Sequence, residues 1–220
     1  MKTLSIPLLL GVLLATGPVA AQEDISKVNG SISADAGQRY GKLDTVNGGI
    51  RVGEGVETGS IDTVNGGVKV ADRARTGQIE TVNGGVRLGR EVIARGDVST
   101  VNGSIFSDRG SQIEGGVETV NGGIGLVESR VGKDVETVNG DITVGIGSQV
   151  NGGVHVRKPN FSVSLTASRK PRVIIGPNAV VSGPLQFERE VVLYVHRTAR
   201  IGPVTGAEPI PFDAETAPAD

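Results

Sequence analysis

Hydrophobic and polar positions alternate in short runs along most of the chain, and the same run returns at a nearly constant interval. In two clear copies, Ile61 to Val70 and Ile79 to Leu88, an aliphatic residue is followed by an acid, Thr, Val, Asn and two glycines, and then by aliphatic, basic and aliphatic residues. Alternation with a period of two is typical of a strand with one buried face. Each copy therefore predicts short strands separated by a corner at the glycines.

The tripeptide Val-Asn-Gly marks this repeat. Its copies begin at Val28, Val46, Val64, Val82, Val101, Val120 and Val138, in steps of 18, 18, 18, 19, 19 and 18. Such a period is too short for a helix pair or a propeller blade, but it suits one turn of a solenoid. We therefore predict an all-β, single-stranded parallel β-helix of about 18–19 residues per coil.

Two further patterns set the register. The position three residues before the tripeptide is aliphatic and is expected to point inward; it holds Leu43, Ile61, Ile79, Val98, Val117 and Val135. Another Val-Asn-Gly begins at Val150, well short of a full coil after Val138. Because its flanking residues match those around Ile113, Val150 is expected to occupy the column of Ile113, which leaves the coil intact.

The ends of the chain differ from the repeat. Lys2, the apolar run from Leu4 to Leu14 and the small residues before Gln22 are typical of a secretory signal. Cleavage after Ala21 would place the mature protein in the periplasm or outside the cell, and no later run is long enough to predict a transmembrane segment. The predicted organisation is a signal peptide over 1–21, a β-helix domain over 22–206, with regular repeats over 28–156 and looser coils over 157–206, and a disordered acidic, proline-rich tail over 207–220.

Composition narrows the range of possible folds and functions. Glycine contributes 34 of 220 residues and aromatic residues only 3%, which disfavours a globular core and favours thin coils with many corners. A formal net charge of −2 gives no reason to expect a nucleic-acid partner. The absence of cysteine removes disulfides and thiolate metal sites. His155 and His196 stand in unrelated contexts, and no catalytic or cofactor motif is found, so we expect a non-enzymatic protein without a metal or cofactor.

Two polar columns are predicted at the corner. The asparagines of the tripeptide would stack at about 4.8 Å, so that their amides form a structural ladder along the rod; they are Asn47, Asn65, Asn83, Asn102, Asn121 and Asn139. The same asparagines are also what a corner with positive φ would favour. A threonine column runs beside them and raises ice binding as a weaker hypothesis, at Thr45, Thr63, Thr81, Thr100, Thr119 and Thr137.

Charge forms two stripes of opposite sign. Acids occupy one outward position, which is interrupted by Ser99, at Asp44, Asp62, Glu80, Glu118 and Glu136. Arg51, Lys69 and Arg87 occupy the outward position after the corner and form a candidate polyanion-binding stripe. Like charges at strand spacing repel, so each stripe needs screening, counter-ions or the other stripe nearby. On the functional interpretation, the rod offers these complementary stripes to another copy of itself or to a charged polymer, whose anionic part the basic stripe would hold. A solvated surface with ion pairs between coils is the alternative interpretation.

Beyond residue 156 the pattern loosens. Phe161 to Leu165 alternates like a strand between two basic clusters, Arg157-Lys158 and Arg169 to Arg172, which could contact an acidic glycan or lipid.

The two ends of an open β-helix expose unpaired strand edges. We expect residues 22–27 to cover the first coil, and the last coil to be sealed by aromatic side chains from the group Phe187, Tyr194 and Phe212.

The Val-Asn-Gly-Gly-Ile strings and the later Ile175 to Leu185 segment make the chain, over residues 28 to 204, resemble the bactofilin-like and adhesin-like group of bacterial β-helix proteins. The resemblance implies a right-handed parallel β-helix without catalytic residues, used for self-assembly, surface attachment or scaffolding. With the signal peptide, it predicts an exported envelope protein that self-associates or binds an envelope polysaccharide or surface partner. The alternative is a carbohydrate-binding or polysaccharide-degrading β-helix, which acids grouped on adjacent coils would favour.

Overall fold

The structure is a computed structural model that describes residues 22–159, 169–214 and 216–217. Over these residues the chain winds into a solenoid of ten coils, and each strand pairs in parallel with the equivalent strand of the next coil. No helix occurs in these three segments. The predicted fold class, an all-β parallel solenoid whose equivalent positions recur in register from coil to coil, is confirmed.

Every coil contributes strands to two sheets, A and B, and the third to ninth coils also contribute to a sheet C; the letters follow the order in which the chain reaches the sheets. Sheet A contains β1 (Glu23–Asn29), β3 (Tyr40–Asn47), β5 (Ile61–Asn65), β8 (Ile79–Asn83), β11 (Val98–Asn102), β14 (Val117–Asn121), β17 (Val135–Asn139), β20 (Val154–Val156), β23 (Leu185–Phe187) and β26 (Val204–Thr205).

Sheet B follows the Asn-Gly corner. It contains β2 (Ile32–Ala34), β4 (Ile50–Val52), β6 (Val68–Val70), β9 (Val86–Leu88), β12 (Ile105–Ser107), β15 (Ile124–Leu126), β18 (Ile142–Val144), β21 (Arg172–Ile175), β24 (Val192–His196) and β27 (Pro209–Phe212).

Sheet C is narrower and begins in the third coil. It contains β7 (Arg75–Thr76), β10 (Ile93–Ala94), β13 (Gln112–Ile113), β16 (Arg130–Val131), β19 (Gln149–Val150), β22 (Val180–Val181) and β25 (Arg200–Ile201).

The core is a set of aliphatic columns between the three sheets. The predicted inward column is fully buried and in register from coil to coil, at Leu43, Ile61, Ile79, Val98, Val117 and Val135. In sheet C, Ile113 pairs with Val131 and Val131 with Val150, so the predicted place of Val150 is confirmed. Burying one Val or Ile side chain contributes about 1.5–3 kcal/mol, and each coil repeats this several times.

The ends of the solenoid differ from the predictions in three ways. Residues 22–27 do not cover the first coil, because Glu23–Asn29 is itself its first strand, with mainly exposed side chains. The segment predicted as a disordered tail contains β27, which pairs with β24 and has a buried Phe212. Tyr194 and Phe212 pack edge to face on the outer side of sheet B, with their ring centres 6.5 Å apart, and so they do not seal the core. Of the three aromatic residues, only Phe187 points inward, level with Val156.

The predicted signal peptide and the strand pattern of residues 161–165 lie outside the described residues.

Candidate interaction surfaces

The asparagines lie one above another at the corner between sheets A and B. Each donates from Nδ2 to Oδ1 of the asparagine one coil earlier, over 2.9–3.1 Å, at Asn47, Asn65, Asn83, Asn102, Asn121 and Asn139, with Asn29 as the first acceptor. The amides point the same way, so each bond polarises the next. The ladder thus forms a polar spine along seven coils of one edge.

Arg189 occupies the carbonyl end of this ladder. Its Nη1 donates to Asn139 Oδ1 at 2.7 Å and to the Val138 carbonyl at 3.1 Å. Arg189 belongs to the ninth coil and reaches past the eighth, in which residues 157–171 separate β20 from β21. A cation at the carbonyl end of aligned dipoles is favourable, as at a helix C-terminus. No sequence pattern indicates this contact, because it joins residues of the seventh and ninth coils.

The threonine column points inward. All six side chains are buried, and each hydroxyl donates to the carbonyl of the corner glycine one coil earlier, as in the 2.9 Å bond from Thr119 to Gly103. The ice-binding hypothesis is therefore wrong, since it requires exposed hydroxyls. The reason lies in the strand period, which places Thr two residues after the buried aliphatic position.

The corner glycines are required by close approach. Of the tripeptide glycines only Gly30 has positive φ, and no asparagine of the ladder has it. A Cβ on Gly103 would lie 2.8 Å from the amide nitrogen of Gly85, and closer still to the Gly84 carbonyl. The positive-φ explanation for the Asn-Gly corner is thus wrong. Positive φ occurs instead at the turn between sheets B and C, where Gly55 and Arg73 are examples.

The outer face of sheet A carries two parallel columns. One is the predicted acid column, which is half-buried or exposed: Asp44, Asp62, Glu80, Ser99, Glu118 and Glu136. The other is formed by the valines of the tripeptide, which point outward with about 40% exposure: Val46, Val64, Val82 and Val101. Together they line an open groove of about 400 Å³. The outward acids are predicted from the sequence; the exposed valines are not, although their place follows from the same strand period.

Within the acid column, partners from neighbouring strands relieve part of the repulsion. Lys42 Nζ lies 3.1 Å from Asp62, and this hydrogen bond raises the pKa of Lys42 above its ordinary value. Arg157 forms a two-pronged contact with Glu136, which raises the pKa of Arg157. His155 follows Glu136 in the column, with Nδ1 3.8 Å from the Glu136 carboxylate.

The outer face of sheet B carries the basic stripe. Arg51, Lys69 and Arg87 are paired in register and exposed. The Arg87 guanidinium lies over the Phe106 ring, 4.6 Å from its centre, and Phe106 continues the column. Among the described residues, none of the three forms an ion pair within 4.0 Å. The two stripes thus lie on different faces, so among the described residues neither stripe neutralises the other.

The basic clusters predicted beyond residue 156 contact acids of their own chain. Arg157 contacts Glu136, Arg169 contacts Asp141 at 2.5 Å, and Lys170 contacts Glu190 at 2.8 Å. A small polar cavity of about 210 Å³ lies here, lined in part by Asn139, Asp141, Arg169 and Arg189. These contacts favour a structural role for the basic clusters over a free basic surface.

The two histidines lie in different coils, as their contexts suggested. His196 is buried against Phe212, with ring centres 5.1 Å apart, and its Nδ1 is 2.9 Å from the Thr198 hydroxyl. His155 points outward on sheet A. Nothing brings them together at a common centre.

The two ends of the rod present different edges. At the C-terminal end, Arg197 N–H donates to the Phe212 carbonyl. Because backbone groups alternate sides along a parallel strand, Ile210 and Phe212 face β24, while Pro209 and Pro211 face the open edge, where neither has an N–H to donate. Prolines therefore blunt this edge. At the other end, β1 contains no proline and pairs on one side only among the described residues.

Within the segments that the structure describes, no helix could cross a membrane, and no three His, Cys, Asp or Glu side chains are grouped to hold a metal ion. Comparison of the chain with protein-family models, with curated proteins and with solved structures found no match in any of the three. What is established is therefore the architecture, a parallel β-solenoid with a polar spine, an acidic and apolar face and a basic face.

Proposed function

We propose that this chain is an exported, non-enzymatic β-solenoid that serves as a self-associating scaffold or adhesin-like element of the bacterial cell envelope. The observation that carries the proposal is the continuity of its outer columns. The valines recur at one position per coil, the acids at one position per coil apart from Ser99, and the basic stripe covers three successive coils, so these columns offer extended surfaces. Such surfaces suit a partner that is itself extended, such as a second rod or a polymer.

Export and association are tested on the same material. The full chain, residues 1–220, is produced in a bacterium, fractionated, and its mature N-terminus is sequenced. We expect the protein outside the cytoplasm with Gln22 as first residue. An uncleaved cytoplasmic protein would refute export. The purified mature protein is then measured by light scattering over increasing concentration, where growth in mass supports a self-associating scaffold and a constant monomer mass refutes it.

One observation favours a second candidate, a carbohydrate-binding or polysaccharide-degrading protein. Asp44, Asp62 and Glu80 stand on adjacent coils of one face, at the strand spacing of about 4.8 Å, beside the open groove. Paired carboxylates at such distances occur in glycosidases. Release of reducing ends from a panel of envelope polysaccharides that is abolished by Asp62→Asn would establish this activity; binding without release would establish a lectin-like role.

A further inference from the structure

The two charged columns occupy the same coils. The second, third and fourth coils place acids on sheet A and bases on sheet B, as the pairs Asp44 and Arg51, Asp62 and Lys69, and Glu80 and Arg87. The first coil is neutral at both positions, with Ser26 and Ser33, and the fifth is neutral at both, with Ser99 and Phe106. Charge on the two faces therefore begins together in the second coil and is lost on both in the fifth; only sheet A regains it, with Glu118 and Glu136.

The acid column and the basic stripe have the same spacing along the solenoid. Each advances by one strand spacing per coil, because both belong to the same solenoid. If the outer face of sheet A of one copy lies against the outer face of sheet B of another, a contact made in one coil is repeated in the next. A second copy of this chain therefore presents its charges at the same spacing of one per coil, so that all three successive contacts can form.

The basic stripe has no acidic partner among the residues that the structure describes. Arg51, Lys69 and Arg87 form no ion pair among the described residues, and they stand directly above one another, where like charges repel. Asp62 has Lys42 beside it, whereas the hydrogen bonds of Asp44 and Glu80 come from the neutral Ser26 and Gln78. Both columns would gain from an opposite charge brought from outside.

We propose that the second to fourth coils of sheet A bind the same coils of sheet B on a second copy of this chain, side by side. This inference rests on the self-association in the proposed function and names its interface. With the two rods parallel, Phe106 of the second copy would lie opposite Ser99 and beside the exposed Val101, which adds an apolar contact at one end of the charged patch.

The interface is heterologous, because it joins two different faces. In a pair, one copy keeps its sheet B free and the other keeps its sheet A free, so that association continues until a ring closes or extends into an array. Growth by the strand edges is hindered at one end by Pro209 and Pro211. Lateral contact is therefore the route that the surface chemistry favours.

The test uses two charge-reversal variants of the mature protein. One carries Arg51→Glu, Lys69→Glu and Arg87→Glu; the other carries Asp44→Lys, Asp62→Lys and Glu80→Lys. The matched control reverses three outward arginines of sheet C: Arg75→Glu, Arg130→Glu and Arg200→Glu. Circular dichroism first establishes that each variant is folded, and sedimentation velocity then measures association at low and high salt.

The expected result is reciprocal. Each variant alone should associate at least about tenfold more weakly than the wild type, the sheet C control should associate like the wild type, and mixing the two variants should restore association. Wild-type association should weaken with salt. Undiminished association of both variants would overturn the lateral interface while leaving the scaffold proposal intact. A wild type that stays monomeric at all concentrations would overturn both.

A second measurement uses the absence of native cysteine. Asp62→Cys and Lys69→Cys are made in separate chains, mixed and oxidised. These positions lie in the middle of the two patches, so they should cross-link into dimers whichever way the rods run. Lys69→Cys mixed with Arg130→Cys is the control. Equal cross-linking in both mixtures would contradict the proposed contact.

Discussion

Replacing Gly103 by alanine tests whether the spacing between coils selects the corner glycines. The new Cβ would lie 2.8 Å from the Gly85 nitrogen and closer to the Gly84 carbonyl, both of them backbone atoms that cannot swing aside. Relief requires the two corners to separate. That movement stretches the bonds from Gly84 N–H to the Asn102 carbonyl, at 3.0 Å, and from the Thr100 hydroxyl to the Gly84 carbonyl, at 2.8 Å.

The expected loss of stability follows from the hydrogen bonds between these two corners. Two or three hydrogen bonds at about 1 kcal/mol each give a loss of about 2–3 kcal/mol. Alanine also restricts the unfolded chain, which returns about 0.4–1 kcal/mol. We therefore expect Gly103→Ala to lower the free energy of unfolding by about 2 kcal/mol.

Two other glycines serve as controls. Gly55 has φ of 65° with open space around its Cβ position, so Gly55→Ala should cost about 1 kcal/mol from backbone conformation alone. Gly125 lies on the outer face of sheet B, where a Cβ would be 3.3 Å from the movable Phe106 ring, so Gly125→Ala should be close to neutral. Urea unfolding followed by circular dichroism measures all three, with slopes compared because solenoids can lose coils one at a time. A Gly103→Ala variant no less stable than Gly55→Ala would refute the spacing argument.

Four further predictions concern the spine, the edge and the response to acid. Thr119→Val removes a buried hydroxyl that donates at 2.9 Å, and should lower the free energy of unfolding in urea by about 1 kcal/mol; an unchanged midpoint would contradict this. Arg189→Met removes the cation from the end of the ladder and should speed amide hydrogen exchange at the seventh corner, whereas unchanged exchange would show that the cap is dispensable. Replacing Pro209 and Pro211 by valine restores two edge donors and should produce end-to-end growth in light scattering and electron microscopy; a constant mass would show that the prolines do not block the edge. The Gly116 N–H holds the pKa of Asp97 below its ordinary value, so the stability that this carboxylate contributes is present above the unfolded-state pKa and is lost as pH falls through the folded-state pKa. Asp97→Asn should therefore lose less stability than the wild type on acidification. Equal losses of unfolding free energy in the two proteins at acid pH would contradict this assignment.

The parts of this fold that repeat are the parts that the sequence predicts. A tripeptide that returns once per coil and a period-two pattern around it are enough for the solenoid, the inward column and the place of Val150. The asparagine stacking follows from the same register. These features are local, so each copy of the repeat carries the information again.

Features that depend on contacts between coils are harder to predict. The strand register places Thr inward, two residues after the buried aliphatic position, whereas the greater hydrophobicity of valine favours an outward threonine. The two criteria therefore disagree about which residue of Thr-Val is buried. Burial of threonine is stabilised by the glycine carbonyl of another coil, which the pattern does not display. The proline-rich β27 has the composition of a disordered segment, because an edge strand tolerates prolines that a central strand does not.

The charged columns carry information that the fold does not need. An outward position on sheet B must only be compatible with a strand, and further along the same column phenylalanine, glycine and threonine satisfy it. Three bases in succession add repulsion of up to about 1 kcal/mol per neighbouring pair, which a single change of sign would remove. Sheet A has acids in the same three coils, and again as Glu118 and Glu136 beyond the neutral fifth coil. In the second to fourth coils this arrangement weakens each rod alone and becomes favourable when opposite faces meet. The proposed contact between rods would therefore account for the basic stripe and for the three acids in the same coils, and the reciprocal charge reversals measure that contact directly.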